Sequence, residues 1–165
     1  MSKKLIFPVA FLAASFIACG TEDLIDPIVD EDPIVGVWFS GGDDVAPGLR
    51  VEPFNVDSIV AVFRENMTYE VLQYSPGLIT LTGTYVVGEG EEGQIRPITA
   101  NQTSPVAVVA EGIFRITNDV MDYEVIQTEP ALAGVNPPTV SGGFGSTTIA
   151  GQPTDLFVQR YVRRQ

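Results

Sequence analysis

The chain has 165 residues, with 9 basic against 21 acidic side chains and a formal net charge of −12. It contains no histidine, and its only lysines are Lys3 and Lys4, which excludes Ser-His-Asp and Cys-His nucleophile systems and His-ligated zinc or haem. So acidic a surface is repelled by phosphate backbones, which argues against nucleic acid as a partner.

At the amino end, Lys3 and Lys4 precede an apolar run, Leu5 to Ile17, broken only by Pro8 and Ser15. That run is shorter than the roughly 20 residues of a spanning helix and fits the core of a signal peptide. Phe16-Ile17-Ala18-Cys19 resembles the lipobox of bacterial lipoprotein precursors, with phenylalanine where the pattern prefers leucine. The resemblance implies a signal peptide at 1–18 and a lipidated Cys19 whose acyl chains, palmitate among them, anchor the product in a membrane. Two chains already suffice for stable anchoring. Cys19 is the chain's one cysteine, and acylation would convert a lone exported thiol into an inert thioether. Gly20 after the cysteine, with no aspartate there, implies the outer membrane of a Gram-negative envelope. The alternative is a plain secretory signal with an incidental cysteine. Loss of residues 1–18 removes both lysines and no acid, taking the net charge from −12 to −14. Schiff-base chemistry is then excluded as well.

Residues 19–33 read as an acidic flexible tether. Glu22, Asp23, Asp26, Asp30, Glu31 and Asp32 repel one another, and Pro27 and Pro33 stiffen the chain. Asp30-Glu31-Asp32 lacks the glycine and distal glutamate of a calcium loop, so no metal site is expected.

From residue 34 to 165 the pattern is β. Ile34 to Phe39 is β-branched and aromatic, and a long Gly/Pro/Asp segment, Gly41 to Asp57, follows it. Ser58 to Arg64 and Met67 to Tyr74 read as a hairpin turning at Glu65-Asn66. In the next strand Ile79, Leu81, Gly83, Tyr85 and Val87 alternate with Thr80, Thr82 and Thr84, the mark of a half-buried strand. Gln94 to Thr99 and Val106 to Thr117 are weaker strands. Met121, Tyr123 and Val125 alternate with Asp122 and Glu124, which are assigned to solvent. Glu129 to Pro153 is rich in Gly, Pro, Ser and Thr, and the last strand runs from Asp155 to Arg163. About eight short strands at hairpin spacing predict an all-β domain, an antiparallel up-and-down barrel with a β-sandwich as the alternative.

Gly36-Val37-Trp38, the long loop after it, Phe63 to Tyr69 and Gly83 to Val87 together resemble the lipocalin-like group. That resemblance implies a barrel closed at one end by Gly36, Trp38 and a basic residue of the last strand. Arg160 is the first candidate, because it shares a face with Leu156, Val158 and Val162, and Arg163 is the second. It also implies a long loop folded over the mouth and a small hydrophobic or amphipathic ligand in the interior.

Phe63, Tyr69, Tyr85, Phe114 and Tyr123 are the expected interior aromatics and ligand contacts, with Ala61 and Gly83 leaving room. A non-enzymatic structural role, with the long loops meeting an envelope protein partner through Phe54 and Phe144, is the alternative. No spacing selects two carboxylates for acid–base work. Glu70 and Glu111 point inward only if the register slips by one residue, so neither an enzyme nor a cofactor is expected.

Overall fold

The computed structural model describes residues 31–165. The candidate lipidation residue Cys19, the signal segment and the tether up to Asp30 lie outside those residues. Seven strands follow one another through hairpins and connecting loops: β1 (Gly36–Gly41), β2 (Ser58–Phe63), β3 (Thr68–Tyr74), β4 (Leu78–Val87), β5 (Arg96–Ser104), β6 (Val108–Thr117) and β7 (Val120–Glu129). After β7 come three two-residue strands, β8 (Val135–Asn136), β9 (Thr148–Ile149) and β10 (Gln152–Pro153), which form a small sheet of their own. The chain ends on β11 (Val158–Arg164), which pairs antiparallel with both β7 and β1. The ladder therefore closes into an eight-stranded barrel of up-and-down, lipocalin-like design rather than a sandwich.

Local chemistry sets the turns. At the β2–β3 turn, Asn66 Oδ1 accepts from the Thr68 amide (3.2 Å) and hydroxyl (2.7 Å), while Met67 takes a left-handed φ of 60°. That Asx arrangement fixes the hairpin register. Inside the barrel the cross-strand pairs Trp38–Ala61, Ala61–Val71 and Val71–Leu81 run as one row. Ile59, Ile98 and Phe114 are almost fully buried, and each such side chain contributes about 1.5–3 kcal/mol. Gly112 sits where β6 and β7 approach closely; a Cβ there would collide with the Glu124 carbonyl and Val125.

The long first loop holds a 3-10 turn (Gly42–Asp44) and one helical turn, α1 (Pro47–Arg50). Its own Val45, Ala46 and Val56 are buried, and the Gly48 amide donates to the Leu156 carbonyl at 2.8 Å. The loop is thus pinned to the segment that enters β11, and Leu49 faces the barrel interior.

Two assignments of side-chain direction change. On β11 the buried residues are Gln159 and Tyr161, with Arg163 half-buried, while Arg160 and Val162 are exposed. The aliphatic residues of this strand point outward, so its inward face is the opposite of the one expected; a single residue of register inverts a strand. On β7, Glu124 is fully buried rather than solvated. Its carboxylate accepts from the Gly145 amide (2.7 Å) and the Thr147 amide (3.1 Å). The Gly-rich segment before β9 is thereby held against the outside of the barrel, over Ile113, Ile126 and Glu124.

Candidate functional site

The barrel has a plugged end and a hollow half. At the plugged end, the Trp38 indole donates to the Ile34 carbonyl at 2.7 Å. Arg163, not Arg160, lies over the indole, with its guanidinium carbon 4.2 Å from the ring centroid. Its two terminal nitrogens donate to the carbonyls of Val35 (2.8 Å) and Pro33 (2.6 Å). Arg160 instead sits at the surface, 3.9 Å from Asp44. Gly36 has a φ of 139° and no Cβ, and a Cβ would occupy the space of the Arg163 guanidinium. The Gly-x-Trp pattern thus has a steric reason: the glycine makes room for the cation that covers the tryptophan.

A second arginine seals the same end. Arg96 donates to both oxygens of Asp32, at 3.1 and 2.6 Å, and to the Gly88 carbonyl at 2.8 Å. It also lies 5.0 Å above the Phe114 ring. Burial alone would raise the Asp32 pKa, but the Arg96 hydrogen bond, the Ile34 amide and the Arg96 charge together hold it below its ordinary value of 3.8. Asp32 and Pro33, assigned by sequence to the tether, are therefore bonded into the barrel.

Above this plug lies a cavity of about 160 Å³. Its apolar wall is Ile59, Ala61, Val71, Leu81, Ala100, Ala110 and Val125, with Leu49 reaching in from the long loop. Its polar groups are Gln73, Gln102 and Gln159 together with Tyr69, Tyr123 and Tyr161. The rings of Tyr123 and Tyr161 meet edge-to-face, with centroids 5.9 Å apart at 85°. Burial pushes the phenols of Tyr69, Tyr123 and Tyr161 above their ordinary value of 10.0. All three stay protonated hydrogen-bond donors through the neutral range. Gln159 is 5% exposed, and its Nε2 has no hydrogen-bond partner among the described residues. An unmet buried polar group of this kind costs about 1–3 kcal/mol. Among the described residues no arginine lines the cavity.

The five aromatics expected to touch a ligand divide between the two halves. Phe63, Tyr69 and Tyr123 line the cavity. Tyr85 and Phe114 do not; they belong to the plug. Tyr85 meets Phe63 edge-to-face at 5.0 Å and donates to the Arg64 carbonyl at 3.0 Å. Its phenol is pushed up by burial and by the charges of Asp32 and Glu31. Phe114 is covered by Arg96. Of the two residues expected to leave room, Ala61 does so, whereas Gly83 is filled by the approach of the Asn101 backbone. The glutamines, Tyr161 and Leu49 were missed. The alternation of Tyr69, Val71 and Gln73 carried the signal for Gln73, as did that of Ala100 and Gln102 for Gln102.

Outside the cavity, Glu70 lies on the outer surface 3.8 Å from Arg64, and Glu111 is exposed. Phe144 is anchored, with Arg115 5.4 Å above its ring, whereas Phe54 is 55% exposed. Among the described residues no three acidic side chains gather into a metal-sized cluster. No helix there is long and apolar enough to cross a membrane. Comparison with protein-family models, with curated proteins and with solved structures finds no match to this chain.

Proposed function

We propose that this chain is a lipid-anchored protein of the bacterial cell envelope whose barrel binds one small hydrophobic or amphipathic ligand. The observation that carries the binding reading is the hollow half of the barrel, about 160 Å³ between a satisfied plug and the long first loop. Small residues, Ala61, Ala100 and Ala110, stand there in place of the large side chains that fill the other half. An eight-stranded barrel is just wide enough either to fill itself or to hold one small ligand, and here part of it is not filled. The anchoring reading is supported by Lys3, Lys4, the apolar run to Ile17 and the lipobox-like Phe16 to Cys19.

A second reading, an interaction role through the loops, is favoured by the exposed apolar side chains of Phe54, Leu78 and Val106. Native mass spectrometry of the purified protein, followed by organic extraction, separates the two. Binding predicts a small co-purifying molecule that is absent from the Ala110→Leu variant. A bare protein mass would return the role to the loops, to be pursued by cross-linking in intact envelopes. Palmitate labelling lost in Cys19→Ser tests the anchor independently.

A further inference from the structure

The cavity also restricts what kind of molecule it can accept. We infer that the ligand is a compact, uncharged, ring-sized molecule with a hydrogen-bonding oxygen, seated against Gln159 and the Tyr123–Tyr161 pair, and that long-chain fatty acids are excluded. This rests on the binding reading above and narrows it.

Size is the first constraint. A cavity of about 160 Å³ matches the dry voids of about 150 Å³ that accept benzene. A long acyl chain exceeds that volume and would have to protrude through the mouth.

Charge is the second. Among the described residues no cation lines the cavity. The two arginines beneath it are already committed, Arg96 to Asp32 and Arg163 to backbone carbonyls. A buried carboxylate would have no counter-ion, an arrangement proteins avoid. The strands leading to the mouth repeat this neutrality. In a chain of net charge −12, neither 71–88 nor 97–110 contains a charged residue. Those segments carry the β3–β4 and β5–β6 turns beside Gln73, Leu81 and Gln102.

The third constraint is the polar anchor. Gln159 is buried, lines the cavity and lacks a partner for its Nε2 among the described residues. It faces Tyr123 directly across the β7–β11 ladder, and Tyr161 is the next inward residue on its own strand. With its side chain rotated toward the cavity, the Gln159 amide donates to a carbonyl or hydroxyl oxygen placed between them, while a ring rests on the alanine wall. A purely apolar ligand would leave that amide unpaired.

The test is ligand-observed NMR and calorimetry on the full-length protein at neutral pH with three probes. These are cyclohexanone (neutral, ring-sized), benzoate (similar in size, anionic) and laurate (long-chain anion). Cyclohexanone should bind, benzoate and laurate should not, and Gln159→Leu should weaken cyclohexanone about tenfold. Tyr161→Phe, which removes only a hydroxyl, gives a second measure of the polar anchor should Gln159→Leu fold poorly. Cyclohexanone binding unchanged in both variants would overturn the anchor. Laurate binding that Ala110→Leu abolishes would overturn the inference while leaving the barrel a ligand-binding domain. No binding of any probe would overturn both.

Discussion

The two halves of this barrel are built from the same strands and satisfy opposite requirements. In the plugged half, large side chains fill the interior and every arginine has its partners: Arg163 over Trp38 and on two carbonyls, Arg96 on Asp32 and Phe114. In the hollow half, alanines replace the large side chains, and Gln159 keeps an amide with no partner among the described residues. Close packing and polar satisfaction are what make a fold stable. A region that relinquishes both has its stability supplied from elsewhere, and the plug supplies it here. The difference teaches that this domain keeps its stability at one end and its vacancy at the other.

That division is open to direct attack. Trp38→Ala strikes the plug at its centre, removing the indole, its 2.7 Å bond to Ile34 and the surface beneath Arg163. The expected loss is about 3–5 kcal/mol, a fall of roughly 10–20 °C in the thermal midpoint for a domain of this size. A loss below about 1 kcal/mol would mean that stability is not concentrated there. Asp32→Asn is milder. Solvent reaches Asp32, so the loss is about 1–2 kcal/mol rather than the 3–5 kcal/mol of a wholly buried pair.

The Asp32 substitution also has a pH signature. The folded pKa of Asp32 lies below its ordinary 3.8, so its contribution is fully present above that value. It drains away as pH falls through the lowered folded value. Urea unfolding of wild type and Asp32→Asn should therefore differ at pH 6 and converge as the pH is taken well below 3.8. Curves that stay parallel into acid would remove Asp32 from the closure.

Each half was legible in part, for a physical reason. Gly36 and Trp38 of the plug and Ala61, Phe63, Tyr69 and Tyr123 of the hollow half were placed in the interior. Asp32 and Arg96 of the plug and Gln73, Gln102 and Gln159 of the hollow half were not. The strands declare themselves by alternation, and Gly36 and Trp38 through the resemblance of Gly36-Val37-Trp38 to the lipocalin-like signature. Tyr85 and Phe114 were read as interior residues, and they are. What alternation cannot show is height along the barrel axis, so these two plug residues were taken for ligand contacts. On β11 the parity itself was misread. Hydropathy put Val158, Arg160 and Val162 inward, yet Gln159, Tyr161 and Arg163 face the interior, Tyr161 against Tyr123 and Arg163 over Trp38. Glu124 shows the same limit from outside. An acidic residue on an outward face reads as solvated until a later segment, here Gly145 to Thr147, brings its amides over it.

The smallest expected effect is the one that sharpens the comparison most. Ala110 and Ala100 face each other across β5 and β6, and both line the cavity. Ala110→Leu adds three carbons to the void. In the plug an enlargement of that kind would force side chains off their rotamers and cost about 1–3 kcal/mol. In the hollow half there is space to receive them, and the added carbons bury apolar surface at about 0.8 kcal/mol per methylene. Imperfect fit offsets part of that gain, so the net change should lie within about 1 kcal/mol of zero, with a midpoint unchanged or raised. Gly83→Ala is the matched control: its added Cβ meets the Asn101 backbone, and it should destabilise. If Ala110→Leu destabilises as much as Gly83→Ala, the hollow half is as tightly packed as the plug. If it stabilises while removing a co-purifying ligand, the same alanine that weakens the fold is what keeps the site open.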